Sequence, residues 1–314
     1  MDYNFDLTIC IVNWNTQSLL RDCLVSILEG KWNISYEIVV VDNNSADSSV
    51  AMLREEFPQV VLISNQENVG FAKANNQAFA RAQGRYVLLL NSDTVVLPRA
   101  LDLLIDFIDK HAEAGAVGCK LLNMDGSMQR SCWRGYPNFR SAVIDAFYLW
   151  RLFPWLPMVR ESEIGGIDLE DPIEVDHILG ACMLVSRDVL DQTNGMDESI
   201  FLFLEETDWC YRIKKLGWKI FFYPAAQVIH FGQQSVQKQP QRTLPEKYRN
   251  YVWFYRKYEN PSALKIWALK FVIVFAGLLR IGLWTWRSRN ASQRDLAHGM
   301  RDGYGEVVKQ ALFF

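Results

Sequence analysis

Between Leu7 and Lys110 the sequence alternates short, almost unbroken apolar runs with stretches whose apolar residues recur every three or four positions. That alternation leaves few folds open. LTICIV (7–12), YEIVVV (36–41), VVLI (60–63) and YVLLL (86–90) read as strands. Between them, Leu20, Cys23, Leu24, Ile27 and Leu28 share one helical face behind a capping Thr16, and Val50–Phe57 reads as a second helix. Asn68 and Gly70 open a third helix with Phe71, Ala74, Ala78 and Ala82 on one side; Pro98 begins a fourth that runs to Lys110. Strands apolar on both faces imply a mostly parallel sheet covered by helices on each side. In such an α/β sheet the ligand binds beyond the carboxyl ends of the strands.

The pattern changes after about residue 115. AVGCKLL (116–122) and ILGACMLVS (178–186) read as strands, separated by an aromatic stretch from Cys132 to Gly166 that is long enough to be an acceptor-binding insert or lid. A helix over Asp208–Lys215, an extended Trp218–Phe222 and a last strand at VIHFG (228–232) follow. Residues 235–244, which include QKQPQRTL, read as a linker, which divides the chain into a catalytic domain (1–237) and a C-terminal helical region (238–314). The division is also electrical. The formal charge of the whole chain is -3, yet residues 238–314 hold 14 Lys+Arg against 5 Asp+Glu. An acidic body excludes a general nucleic-acid binder, and the basic tail asks for another partner.

That tail holds IWALKFVIVFAGLLRIGLWTW (266–286), which has the ~20 residues needed to cross a bilayer but is interrupted by Lys270 and Arg280. Flanking Trp267, Trp284 and Trp286, with Arg256, Lys257, Lys265, Arg287 and Arg289, suit a helix lying on an anionic membrane surface while Lys270 and Arg280 snorkel to the headgroups. A spanning helix and a helix packed on protein are the alternatives. The acidic N-terminus does not read as a secretory signal, so the body is expected in the cytoplasm, bound peripherally to the inner face of the membrane, and the Asn-x-Ser matches at Asn33, Asn43 and Asn290 as chance. Six cysteines without regular spacing read as buried thiols.

Candidate chemistry gathers where strands end. Asp42 follows VVV and Asp93 follows LLLNS, with Asn13 and Asn15 just beyond the first strand. Asp and Asn also end strands for local reasons, but two such sites in one sheet favour a polar pocket. VNWNTQS after the first strand carries no dinucleotide fingerprint, and no GxxxxGK[ST] occurs, so a Rossmann oxidoreductase and a P-loop enzyme both fit poorly. Holding a phosphate without such a loop calls for a cation, for which Asp93 is a hard oxygen ligand. A second cluster, LEETDW, places Glu205, Glu206 and Asp208 at a helix start, where acids complement the unpaired amides and could also deprotonate an alcohol. His230 is either a satisfied turn histidine or a further metal ligand. His111, His177 and His298 carry weaker signals.

Together these segments resemble the inverting nucleotide-sugar glycosyltransferases of the large GT-A family 2, in particular bacterial rhamnosyltransferase-like members. The resemblance covers roughly residues 6–235 and rests on the order of IVNWN (11–15), VVVDNNSADSS (39–49), NVGFAKANNQAF (68–79), LLLNSD (88–93), GCKLLNMDGSMQ (118–129), GACMLVSRDVL (180–190), GMDESIFLFLEETDWCYR (195–212) and HFGQQS (230–235). It implies a GT-A fold and a nucleotide-sugar site drawn from Asn13, Asp42, Asn68, Lys73, Asn91 and Asp93, with Asp42 against the base. It also implies Mg²⁺ or Mn²⁺ at Asp93 and His230, with Ser235 in the follow-on motif. Asn91 stands at the first position of the Asp-x-Asp element, which leaves Asp93 as its anionic ligand. Glu206 fills the place of the catalytic base, supported by Glu205 and Asp208, where aspartate is usual. The implied donor is dTDP-L-rhamnose and the implied acceptor a polyprenyl-diphosphate-linked saccharide in O-antigen- or capsule-like synthesis. A UDP-hexose or UDP-N-acetylhexosamine donor, and a catalytically silent membrane scaffold, are the rival readings.

Overall fold

The computed structural model describes residues 3–153, 155–156, 159, 169–232, 239–289 and 294–314. The chain forms two compact units: Met1–Arg134, Gly165–Phe201 and Glu205–Gly232 make the first, and Gly135–Ile164, Leu202–Leu204 and Gln233–Phe314 the second.

In the first unit the strands are β1 (Phe5–Asn13), β2 (Tyr36–Asp42), β3 (Val61–Ser64), β4 (Gly84–Asn91), β5 (Thr94–Val96), β6 (Ala114–Leu122), β7 (Trp133–Arg134), β8 (Ile173–Glu174), β9 (His177–Ile178), β10 (Cys182–Ser186) and β11 (Lys219–His230). The helices are α1 (Gln17–Leu28), α2 (Ser49–Glu56), α3 (Phe71–Phe79) and α4 (Ala100–Lys110). Numbered next in chain order, α5 (Phe139–Ala146) and α6 (Leu149–Leu152) belong to the second unit, and α7 (Arg187–Thr193) and α8 (Glu205–Lys215) return to the first. The main sheet runs β3-β2-β1-β4-β10-β6-β11-β5. The neighbours β3, β2, β1 and β4 are parallel, as the continuous apolar runs predict. All six cysteines are buried free thiols.

Three details depart from the sequence reading. First, β10 lies antiparallel between β4 and β6, so the sheet is mixed in its second half. A strand buried on both faces has the same apolar run in either direction. Second, the two expected segments at 218–222 and 228–232 are one strand, β11, parallel to β6 on both sides of a register shift between Tyr223 and Gln227. Pro224 lies inside the shift; it lacks the N–H that an in-register residue would donate. Third, Thr16 stands at the α1 N-cap without making the side-chain cap bond. Its hydroxyl instead donates to Asn13 Oδ1 at 2.7 Å and meets Ser92 Oγ at 2.9 Å.

The second unit contains α5 and α6 together with α9 (Pro240–Glu259), α10 (Ala263–Arg287) and α11 (Arg294–Gln310). The helix α9 takes up the second half of the expected linker, while 233–238, including Ser235, lie outside the described residues, as does Asn290. Leu244, Val252, Leu269, Ile273, Tyr304 and Val307 build its core. Lys270 and Arg280 do not snorkel; both are buried at 6% exposure. Lys270 Nζ donates to Leu312 O at 2.7 Å, and Arg280 donates to Asp145 O (2.7 Å) and Ala146 O (3.2 Å) while stacking over the Tyr148 and Tyr304 rings. A charge inside an apolar helix can reach water or find buried acceptors, and here backbone carbonyls supply the second solution. The opposite face of α10 exposes Leu264, Trp267, Phe271, Leu278 and Trp286. This helix is long and apolar enough to cross a membrane.

Candidate active site

The carboxyl ends of β1, β2 and β4 converge on a network of short polar side chains. Asp42, at 1% exposure, accepts from Asn13 Nδ2 at 2.8 Å and from the Ser45 amide at 2.9 Å. Ser45 Oγ in turn accepts from Asn13 Nδ2 (3.1 Å) and the Asn15 amide (2.9 Å). Asn15 and Asn44 occupy the left-handed region, with φ of 56° and 63°, which asparagine tolerates better than most residues. Asp42 thus fastens the loops after β1 and β2 to each other. The next loop is tied in by Asn43, whose Nδ2 donates to Asn68 Oδ1 (2.9 Å) and Gly70 O (3.1 Å) and whose Oδ1 accepts from the Val69 amide (3.0 Å). Gly70 has φ 89°, and a Cβ there would lie 2.7 Å from Phe201 O, the carbonyl that accepts from the Phe71 amide at the start of α3. Lys73 on α3 is exposed.

Beyond β4 lies the second group. His230 ends β11 and pairs with Thr94 of β5, which sets its ring beside Asp93. His230 Nε2 is 3.4 Å from Asp93 Oδ1 and 3.3 Å from Asn91 Nδ2. Gln129 fixes the tautomer. Its Nε2 donates to His230 O at 2.6 Å, so its Oε1, 2.9 Å from His230 Nδ1, must accept the proton there. Nε2 is left facing the Asp93 carboxylate and the Asn91 amide. A histidine whose other nitrogen is bonded to a fixed acceptor is the usual form of a metal ligand. The donor set fits a divalent cation with two protein ligands, Asp93 and His230. Among the described residues no group of three or more His, Cys, Asp or Glu offers a fuller cage, so further ligands would come from phosphate oxygens or water.

The acidic cluster at the start of α8 divides by environment. Asp208 is fully buried and paired with Arg212 at 2.8 Å, while Arg212 also donates to Thr193 O and Gly195 O. Asp208 therefore braces α8 against the loop after α7. Glu205 is buried, and its Oε2 has no hydrogen-bond partner. Burial, with the neighbouring Glu206 charge second, raises its carboxyl well above the ordinary carboxylate range. Glu206 is partly open to solvent, and burial lifts its carboxyl to about 6, against the lowering effect of backbone amides and the Arg134 charge. Its stem borders Gly180, whose added Cβ would lie 3.4 Å from Glu206 Cβ. Ala181 O, the next residue's carbonyl, accepts from the Asn91 amide at 3.0 Å. Glu206 and the Asn91–Asp93 segment are thereby joined through two adjacent residues of one loop.

Sequence reasoning missed Gln129, Ser45, Ser92, Gly180 and Arg134. Gln129 lies 101 residues from His230 and has no local signature. His177 is no ligand candidate: it is buried, its pKa is driven down to about 4 by that burial, and its Nδ1 lies 3.2 Å from Arg134 O.

The chain is similar to known proteins. The family model for glycosyl transferase family 2 matches residues 8–193. An N-acetylglucosaminyl-diphospho-decaprenol L-rhamnosyltransferase from Mycobacterium tuberculosis is 27% identical over 230 residues, which cover 68% of this chain and 72% of that protein. The low-salt glycan biosynthesis hexosyltransferase Agl10 of Haloferax volcanii is 26% identical over 231 residues, covering 72% and 67%. Among solved structures, a mannosyltransferase from Pyrobaculum calidifontis, in complex with GDP-Man and Mn²⁺, superposes over 99% of this chain and 88% of its own with a TM-score of 0.57 at 15% identity. A family model spanning more than half of the chain, on a GT-A-like sheet with its polar residues at the expected strand ends, makes this protein a glycosyltransferase of family 2.

Proposed function

We propose that the protein is an inverting glycosyltransferase that moves L-rhamnose from dTDP-L-rhamnose to a polyprenyl-diphosphate-linked saccharide in cell-surface polysaccharide synthesis, working at the cytoplasmic face of the membrane. The observation that carries the reaction class is the pairing, around one sheet edge, of the Asp93–His230 site with Glu206, through Asn91, Ala181 and Gly180. The choice of donor and acceptor is supported by the likeness to the mycobacterial rhamnosyltransferase.

In this reading the loops fastened by Asn13, Asp42 and Asn68 seat the nucleotide, Asn91 borders the diphosphate, and exposed Lys73 adds positive charge near the same helix start. Asp93 and His230 would hold a Mg²⁺ or Mn²⁺ ion, which would supply Lewis-acid neutralisation of the leaving diphosphate. Glu206 accepts the proton of the acceptor hydroxyl as that oxygen attacks the anomeric carbon from the face opposite the diphosphate. A carboxyl raised to about 6 is a stronger base than an ordinary glutamate yet is mostly ionised at pH 7. Burial and the neighbouring Glu206 both disfavour ionisation of Glu205. The base must come within ~3 Å of the hydroxyl, directly or through one water.

The outer face of α10 gives the enzyme its access to a lipid-linked acceptor. Trp267, Phe271 and Trp286 stand exposed on it, and Lys265 and Arg289 are exposed near its two ends. That is the composition of a helix lying in an anionic interface, and the inward-turned Lys270 and Arg280 oppose a crossing.

A donor-panel assay on the purified protein, with Mg²⁺ or Mn²⁺ and a lipid-diphosphate saccharide acceptor, tests the proposal. Rhamnosyl transfer with inverted anomeric configuration is expected. Transfer from a UDP-hexose or UDP-N-acetylhexosamine instead would establish the second reading, which the comparable likeness to the archaeal hexosyltransferase supports. Nucleotide binding with no transfer from any donor would overturn both in favour of a silent scaffold.

A further inference from the structure

The helical unit exposes more apolar surface than the outer face of α10. After α11 comes a 3₁₀ turn, Ala311–Phe313, in which Leu312 and Phe313 are 53% and 88% exposed. This turn borders the α10 face. Leu312 O accepts from Lys270 Nζ at 2.7 Å, and the same ammonium lies 5.4 Å from the centre of the exposed Trp267 ring. Further along α10, the exposed Phe275 ring meets Phe147 at 5.7 Å. Phe147 leads into α6, and just after that helix Phe153, Trp155 and Leu156 are exposed. Two segments remote in sequence thus adjoin the apolar stripe of α10, all within one unit. A surface of this kind marks a contact. Charge says with what. No Asp or Glu stands between Glu259 and Asp295, whereas Lys265, Arg287 and Arg289 do, and Arg151 on α6 is exposed. Two copies joined through this face would set basic groups together with no acid to pair them. Tryptophan beside lysine and arginine is instead the composition of a lipid headgroup boundary.

We propose that the segment after α6 and the 311–313 turn insert into an anionic bilayer together with α10, so that the helical unit lies in one leaflet as a plate. This rests on the reading of α10 as a membrane-surface helix and extends it to two further elements. Lying flat leaves Lys270 and Arg280 on their carbonyls. A crossing α10 would carry the Lys270–Leu312 bond, and the turn with it, into hydrocarbon, where irregular backbone finds no water. Part of the aromatic stretch 132–166 then serves as a lipid contact rather than as a cover for the acceptor.

The test is flotation of the full-length protein with vesicles of phosphatidylglycerol and phosphatidylcholine in high salt, where charge is screened and apolar insertion remains. Trp155→Ser and Phe313→Ser change exposed positions and should leave the denaturation midpoint unaltered. Each should lower the vesicle partition coefficient by about tenfold, as losing the burial of one aromatic side chain implies. Trp267→Ser, on α10, is the reference. A partition coefficient within about twofold of wild type for either Trp155→Ser or Phe313→Ser overturns the proposal. If Trp267→Ser alone loses binding, the reading of α10 stands and the plate falls; if Trp267→Ser also binds like wild type, the reading of α10 falls with it. Absence of wild-type flotation, together with a dimer in sedimentation that Phe313→Ser dissociates, overturns the proposal in favour of a second copy of this chain. Flotation needs neither donor nor acceptor, so a protein inactive toward every donor would overturn the proposed reaction while partition still decides the membrane face.

Discussion

His230 Nε2 faces Asp93 Oδ1 at 3.4 Å, and the imidazole is held in that orientation by Gln129, which accepts from Nδ1 and donates to the same residue's carbonyl. This pair is the one that the proposed divalent cation would use.

Asp93→Ala should abolish cation-dependent turnover while the fold survives, since the residue lies beyond β4 and contributes little to the core. Calorimetry of nucleotide binding with and without Mn²⁺ reads the effect. Gln129→Leu is the more discriminating variant: it leaves both proposed ligands in place but frees the tautomer, and should weaken Mn²⁺-dependent nucleotide binding by about 10- to 100-fold. Unchanged cation dependence in both variants would remove the metal from this site.

Glu206→Gln should leave nucleotide binding near normal and lower the chemical rate by roughly 10²-fold or more, as loss of a general base does. Glu205→Gln should keep most of the activity, because burial and the neighbouring Glu206 already disfavour a charge at that position. A larger loss in Glu205→Gln than in Glu206→Gln would identify the wrong carboxylate as base.

The same groups set the pH dependence. Turnover needs ionised Glu206, so kcat should fall as pH drops through about 6, and Glu206→Gln should lose that limb. Stability runs the other way. The carboxyl sits at about 6 in the folded chain against an ordinary 4.5, so the native state binds more protons, and the protein should lose stability as pH rises between those values. Denaturant midpoints across this window, in wild type and Glu206→Gln, measure it; a wild-type midpoint that climbs with pH more steeply than the variant's would contradict the burial of Glu206.

The parallel half of the sheet was legible because its information is local: VVV and LLL runs cannot serve a half-exposed strand, and Asp42 follows the first directly while Asp93 follows the second after Asn91 and Ser92. What escaped depends on contacts remote in sequence. Nothing near Cys182 reveals that β10 runs antiparallel between β4 and β6, since a doubly buried strand carries no mark of direction. Gln129 becomes meaningful only where β11 brings His230 beside it. Asp208 and Glu206 are two residues apart with similar chemistry, yet Arg212 one turn further on takes the first into a structural pair and leaves the second partly open. Lys270 and Arg280 were legible as anomalies in an apolar helix, but the carbonyls of Leu312 and Asp145 that receive them lie far along the chain.

Those two inward charges make the tail testable face by face. Arg280→Ala removes bonds to two carbonyls and the cation between Tyr148 and Tyr304, and should destabilise the helical unit by about 2–3 kcal/mol, read as a lower denaturation midpoint. Phe271→Ser lies on the exposed face, at 69% exposure, and should change stability by less than about 0.5 kcal/mol. Its effect belongs to the membrane. With 14 basic against 5 acidic residues in 238–314, vesicles containing anionic lipid should bind the wild-type protein, each basic residue near the surface contributing about 1 kcal/mol. Salt should weaken this binding without abolishing it, because insertion of Trp267, Phe271 and Trp286 is not screened. Phe271→Ser combined with Trp267→Ser should therefore leave a residual binding that high salt removes more fully than it does in the wild type. Flotation with neutral and anionic vesicles at low and high salt separates these terms, and equal flotation of the double variant and wild type in high salt would take the outer face of α10 out of the membrane contact.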